Sequence, residues 1–222
     1  MDPAQLEECI SEFRRSRHHL AAWAESIRQF FANHPVLSGG RLPIVHSIRV
    51  RLKDEQHLRE KLQRKATVNQ QITATNLLEQ ITDLVGVRVL HLYQAQFPDI
   101  HAVVCDQLAR GDWSLHEQPV AYTWDPESTA FFEKLGLETR LKESYYTSIH
   151  YLLKPRTESA FRCELQVRTL FEEAWGEIDH GVNYPTPTTM RTCKEQLRVL
   201  SKLVGAASRL ADSIFRANRG DE

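Results

Sequence analysis

The sequence predicts a mixed α/β (α+β) chain: a largely antiparallel central sheet of about five strands, flanked by helices, with long helices at both ends. Three observations lead there. Runs that alternate apolar and polar residues, such as Phe161 to Val167, require half-buried strands. Stretches with apolar residues every three or four positions separate them, but without the strict strand–helix alternation of a parallel sheet. Both ends carry helical stripes far longer than any strand. A chain of 222 residues that is 41% hydrophobic fits one large domain or two small ones with a proper core.

The elements follow in order. Leu6, Ile10, Phe13, Leu20, Trp23, Ile27 and Phe30 make a helix over about 3–33, which Pro35 stops. Ile44 to Lys53 alternates as a strand, and Glu55 to Lys65 is a helix with Leu58 and Leu62 on one side and cations on the other. A short helix over Thr75–Gln80 leads into Leu84–Tyr93, whose Val and Leu content marks a central strand. Phe97–Arg110 is an amphipathic helix, Trp113–Trp124 a strand, and Phe131 to Leu135 a brief helix closed by Gly136. Thr147–Leu153 and Phe161–Val167 form a strand pair, and Leu170–His180 is a helix. Pro185-Thr-Pro187 breaks the chain before a last helix, striped by Leu197, Leu200, Val204, Ala207, Leu210 and Ile214. Residues 1–40 are thus a helical flank, 41–185 the main domain and 186–222 a terminal helix. No repeat or low-complexity tract interrupts this order.

Charge and composition exclude several classes. A net charge of −1 and a pI near 6.8 give no global basic field for bulk nucleic-acid binding. No apolar run reaches the roughly 18 residues of a membrane span. The opening residues lack the order of a signal peptide, and Cys9, Cys105, Cys163 and Cys193 form neither a zinc knuckle nor a disulfide framework. A soluble cytoplasmic protein is expected.

Four segments carry chemistry. In Phe161–Thr169 the apolar Phe161, Cys163, Leu165 and Val167 alternate with Arg162, Glu164, Gln166 and Arg168. A carboxylate with two cations and an amide on one strand face suits an anionic ligand and a metal, although a solvated outer face is the commoner use of such a pattern. Arg51 and Lys53 share a strand face, and Lys61 and Lys65 share a helix face, with Arg64 beside them. Converging cations of this kind cradle a polyphosphate; taken alone, a solvated basic helix is equally good. Asp83-Leu-Val-Gly86-Val-Arg88 puts a carboxylate at the mouth of a buried strand, where it serves as a turn residue or as a hard oxygen ligand for Mg²⁺. In Lys142–His150, the alternating Tyr146, Ser148 and His150 share a face, with Tyr146 offering a ring for base stacking or for plain strand packing.

In order and spacing these segments resemble the synthetase domain of the RelA/SpoT family, the alarmone synthetases, and in particular its small single-domain members. The family's R-x-K is Arg51-Leu-Lys53, its D-x-x-G-x-R is Asp83-Leu-Val-Gly-Val-Arg88, and its G-Y-[KR]-S-x-H is Tyr145-Tyr-Thr-Ser-Ile-His150. Its E-x-Q-[IV]-R-T is Glu164-Leu-Gln-Val-Arg-Thr169, followed by a helix with Trp175 and His180, then Asn183-Tyr184. The resemblance spans roughly residues 40 to 185 and leaves no room for the family's hydrolase and regulatory domains.

The resemblance implies a nucleotidyltransferase-like fold and an ATP:nucleotide 3′-pyrophosphotransferase, a GTP pyrophosphokinase making ppGpp or pppGpp from ATP and GDP or GTP in the stringent response. Arg51, Lys53, Lys61 and Arg88 would bind ATP. Asp83 and Glu164 would be catalytic and hold Mg²⁺, with Glu164 also placed to deprotonate the attacking hydroxyl. Lys142, Tyr146, His150, Gln166 and Asn183 would bind the acceptor. The pattern departs from the family at two places: Tyr145 stands for a glycine and Thr147 for a cation, and no arginine follows the Asp83 strand to cover the adenine. An acceptor that is a tRNA 3′ end or an adenosine nucleotide therefore stays open, as does an inactive nucleotide-binding module, against which the two retained carboxylates argue. The amphipathic terminal helices suit a homodimer or tetramer.

Overall fold

In the computed structural model, residues 1–65, 71–142, 144–156, 159–184 and 186–219 are described. Glu143 and Pro185, which the sequence reading passes through, lie outside them, as does part of the loop joining the 147–153 and 161–167 strands.

The first helix, α1 (Pro3–Asn33), buries Leu6, Ile10, Phe13, Leu20 and Ile27 as expected, but Phe31 rather than Phe30 completes the stripe, and Trp23 and Phe30 are only partly buried. Pro35 restarts a single helical turn, α2 (Pro35–Ser38). Strand β1 (Ser47–Leu52) begins three residues later than its alternation suggests. Helix α3 (Glu55–Lys65) buries Leu58 and Leu62, and α4 (Leu77–Gln80) is one turn. Then come β2 (Val85–His91), a 3-10 turn at Gln94–Gln96, and α5 (Phe97–Ala109).

The expected strand over Trp113–Trp124 is two strands, β3 (Trp113–Leu115) and β4 (Val120–Thr123). Both pair antiparallel with β6 (Ser148–Pro155), at its opposite ends. Pro119 ends the interruption between them, since it has no N–H to give the ladder. Helix α6 (Pro126–Lys134) starts five residues before the apolar residues that predicted it, because Pro126 occupies its first position and Asp125 precedes it as N-cap. Gly136, at φ 79°, closes that end as expected. Strand β5 (Glu138–Leu141) escaped the sequence reading: Glu-Thr-Arg-Leu is exposed at a sheet edge and lacks an apolar face.

With β7 (Cys163–Thr169), the sheet has, among the described residues, seven strands in the order β1-β2-β7-β6-β4-β5, with β3 also beside β6. The pairs β2–β7 and β4–β5 are parallel and the others antiparallel. One face, formed by Val85, Val87, Val89, Leu165, Val167, Ile149 and Tyr151, joins the buried stripe of α1 in one hydrophobic cluster. The other face carries the polar residues of the motifs, under α7 (Leu170–Asn183) and α8 (Arg191–Arg219). Among the described residues no helix is long and apolar enough to cross a membrane.

Candidate active site

Two ladder rows build the site. Across one, Arg51 pairs with Gly86 and Gly86 with Glu164; across the next, Arg49 pairs with Arg88, Arg88 with Gln166, and Gln166 with His150. Side chains in register on one sheet face lie side by side, so the motifs from β1, β2, β7 and β6 meet in a single cleft. Gly86 keeps the middle of the first row open: a Cβ there would stand 3.3 Å from the Glu164 carbonyl oxygen.

At one end, Lys53 donates to Asp83 Oδ2 at 2.8 Å, and Lys61 Nζ lies 2.7 Å from Asp83 Oδ1. Burial pushes the Asp83 carboxyl up, but these two ammonium groups outweigh it and hold it below the ordinary value. Lys65, expected beside Lys61, instead reaches the Gln80 carbonyl at 3.3 Å.

Glu164 lines the same recess as Arg51, Lys53, Asp83, Gly86, Arg88 and Gln166, a space of about 50 Å³. His150 donates from Nδ1 to Oε1 at 2.9 Å, and the Gln166 amide donates to Oε2 at 2.9 Å. Burial is the largest influence and raises the Glu164 carboxyl, but His150 and the Gln166 hydrogen bond together outweigh it, so it sits below its ordinary value despite the repelling charge of Asp83. Two carboxylates so close that their charges interact, both kept ionised, fit a divalent cation. Asp83 Oδ1, a buried hard oxygen, has a charge contact but no hydrogen bond. No cluster of three or more His, Cys, Asp or Glu residues forms a complete cage among the described residues. A cation here would draw its remaining ligands from a substrate's phosphates or water.

Through Arg51, Arg88 and Gln166 the recess opens into a larger cleft of about 510 Å³, walled on the far side by Trp175, Glu177, His180, Asn183 and Tyr184. Tyr146 stands at its edge, donating from its hydroxyl to His150 Nε2 at 3.2 Å, with the Arg168 guanidinium 5.5 Å from its ring centre. Asn183 is held by Asp179 at 2.8 Å.

Several expected placements change. Tyr146 lies before β6, as expected, but Ser148, expected on the open face with it and His150, is fully buried. Arg162 turns to His116 and to the Ser159 carbonyl, so only Arg168 of the two expected cations faces the cleft. Lys142 is exposed, 4.5 Å above the Tyr122 ring, which packs against His150 rather than Tyr146. Arg88 reaches Glu177 at 2.8 Å and Glu173 at 3.2 Å.

Sequence reasoning missed that last pairing. The buried Glu173 carboxylate gathers Arg49 at 3.1 Å, Arg88 at 3.2 Å and Arg168 at 2.8 Å at the cleft wall. The signal was present: Glu173 and Glu177 are one helical turn apart, and Arg49 shares the strand face of Arg51. Gly176 belongs to the same arrangement, since a Cβ there would meet Arg168 Nη1 at 3.0 Å.

The chain belongs to the family defined by the region found in RelA/SpoT proteins, whose model matches residues 50–189. Its fold is that of the small alarmone synthetases. Small alarmone synthetase 1 from Bacillus subtilis superposes with a TM-score of 0.66 at 19% identity, covering 97% of this chain and 98% of that one. The same B. subtilis protein bound to its product pppGpp gives a TM-score of 0.64 at 17% identity, over 91% and 94% of the two chains. Bound to AMPCPP it gives 0.58 at 17% identity, over 98% and 99%. No curated protein sequence gives a significant match.

Proposed function

We propose that this protein moves the β,γ-diphosphate of ATP to the 3′-hydroxyl of GDP or GTP, making ppGpp or pppGpp. The observation that carries the reading is the single cleft in which cations, two ionised carboxylates and a stacking ring follow one another. Arg51, Lys53 and Lys61 hold the ATP phosphates, and Arg88 joins them by exchanging Glu177 for a phosphate. Asp83 and Glu164 hold Mg²⁺, which when bound supplies charge neutralisation to the transferring group. Tyr146 stacks on the acceptor base, Gln166 and Asn183 line its pocket, His150 supports Tyr146 through the hydrogen bond between them, and the exposed Lys142 contributes charge to the acceptor. Glu164, ionised and aimed by His150 and Gln166, takes the proton of the attacking hydroxyl. Such transfer requires alignment and charge neutralisation more than covalent chemistry, and the cleft offers both.

The neighbours in fold give this reading support, since the solved B. subtilis structures carry an ATP analogue and pppGpp. The dimer or tetramer expected of the chain would use the face of α8 that leaves Val199, Leu203, Leu210 and Ile214 exposed. The test is incubation with Mg²⁺, labelled ATP and a panel of GDP, GTP, ADP and tRNA, with the products separated by chromatography. Label on GDP and GTP supports the proposal; label only on ADP or tRNA assigns another acceptor.

A further inference from the structure

Tyr145 is the one residue other than glycine, among those described, with a positive φ, at 60°. A side chain with a Cβ is sterically disfavoured there, and the family places glycine at this position. The conformation closes a turn in which the Tyr145 N–H donates to the Lys142 carbonyl at 3.1 Å. Its ring is held from outside the turn: the edge of Trp124 meets it at 5.5 Å, and the Arg198 guanidinium of α8 lies 5.5 Å from its centre. Tyr146 follows directly, and the next residue, Thr147, is buried and fixed by a 3.0 Å hydrogen bond to Thr123. The direction of the Tyr146 ring is therefore set by two clamped neighbours, one of them clamped by α8.

The helix that carries Arg198 is itself anchored elsewhere. Trp175 donates to the Leu197 carbonyl at 3.0 Å, Arg209 reaches Asp125 at 2.6 Å, and Ala95 N–H donates to Asp212 at 3.0 Å. Removing the Arg198 side chain leaves those contacts in place, so its effect can be read apart from the docking of the helix.

We propose that Arg198 is a positioning residue for the acceptor: it holds Tyr145 in its left-handed conformation and so sets Tyr146 in the cleft. The inference rests on the reading of Tyr146 as the acceptor platform. It gives the C-terminal helix a part in acceptor binding and explains how this chain dispenses with the family's glycine.

The experiment is a double-variant cycle of Arg198→Ala and Tyr145→Gly, with Arg198→Lys as the conservative variant. It is read by steady-state kinetics and by hydrogen exchange of the segment between Lys142 and His150. Arg198→Ala should raise the acceptor KM by about two- to fivefold, the worth of an exposed cation–π contact. It should speed exchange in that segment and leave the ATP KM unchanged, and Arg198→Lys should restore most of both. In the Tyr145→Gly background, where no ring remains to hold, Arg198→Ala should change neither readout. An unaltered segment in Arg198→Ala, equal rises in both KM values, or effects that simply add in the double variant would overturn the proposal. If the wild type transferred to no acceptor, the reading of function would fall by itself, and the exchange measurements would still decide whether Arg198 orders the turn.

Discussion

Lys53 and Arg14 are both cations paired with a carboxylate, but they face different surroundings. Lys53 is mostly buried and points at Asp83 in the cleft, whereas Arg14 is more than half exposed and pairs with Glu55 on the outside of α1. Lys53→Ala should raise the apparent KM for ATP about tenfold or more, the worth of one charge-assisted hydrogen bond, and should weaken turnover. Arg14→Ala should do neither, and equal behaviour of the two with ATP would remove the phosphate cradle from the account. Tyr146→Ala should lose about 1–3 kcal/mol of acceptor binding by titration, as base–aromatic stacking does elsewhere, while Tyr146→Phe keeps most of it because the ring face makes the contact. An unchanged affinity in Tyr146→Ala would place the acceptor base elsewhere. Thr147, read from the pattern as a missing cation beside the acceptor, is instead buried against Thr123. Thr147→Arg should therefore lower Tm, through burial of an unpaired charge, rather than strengthen GTP binding. Motif residues such as Asp83 and Glu164 were singled out by residue type and spacing, and they meet in one recess. Ser148 and Arg162 were misplaced because alternation does not say where a strand begins. The faces of Arg49 and of Glu173 were each legible from periodicity, but their meeting across 124 positions was not, because periodicity does not name partners.

At the scale of elements, α7 carries both a cap and a pH response. Thr169 accepts the Glu172 N–H, and Glu172 reaches back to the Thr169 N–H at 2.8 Å, a reciprocal capping box. Burial pushes the Glu172 carboxyl up to about 7, with Asp125 adding to the rise and the Thr169 hydrogen bonds opposing it. An acid whose folded pKa exceeds its unfolded one keeps its proton longer in the folded state. Stability thus falls as pH rises from the ordinary carboxylate range towards 7, by up to about 3 kcal/mol. Glu172→Gln keeps the capping box and cannot ionise, so its Tm should match the wild type near pH 5 and exceed it at pH 8. Parallel Tm profiles for the two proteins would contradict this. A long element with a strong period is the easiest to read: α1 was expected over 3–33 and spans Pro3–Asn33, whereas the terminal helix, expected from 186, begins at Arg191 beyond the proline-rich stretch. The misses include β5, which is polar and lies at an edge, the start of α6, where Pro126-Glu-Ser-Thr has no apolar period but an N-cap and a proline instead, and the break between β3 and β4.

For the whole molecule, the register of the sheet turns four scattered motifs into one cleft: Arg51, Gly86 and Glu164 share a row although Arg51 and Glu164 belong to opposite halves of the sequence. That juxtaposition followed from the family resemblance and not from alternation alone, because a strand's pattern names its faces but not its neighbours. The far wall was named in part by the resemblance, through Trp175, His180, Asn183 and Tyr184, whereas the brace from α8 through Tyr145 was visible only in three dimensions. The central claim is that Asp83 and Glu164 serve one diphosphate transfer. The measurement that tests it most directly is the release of AMP against the label gained by GDP or GTP from ATP labelled at the β-phosphate, in wild type, Asp83→Asn and Glu164→Gln. The account predicts AMP and labelled product in equal amounts from the wild type. Both variants should lose transfer by several kcal/mol in the transition state while keeping the wild-type circular dichroism. Near wild-type turnover in either variant, or ADP in place of AMP, would contradict it.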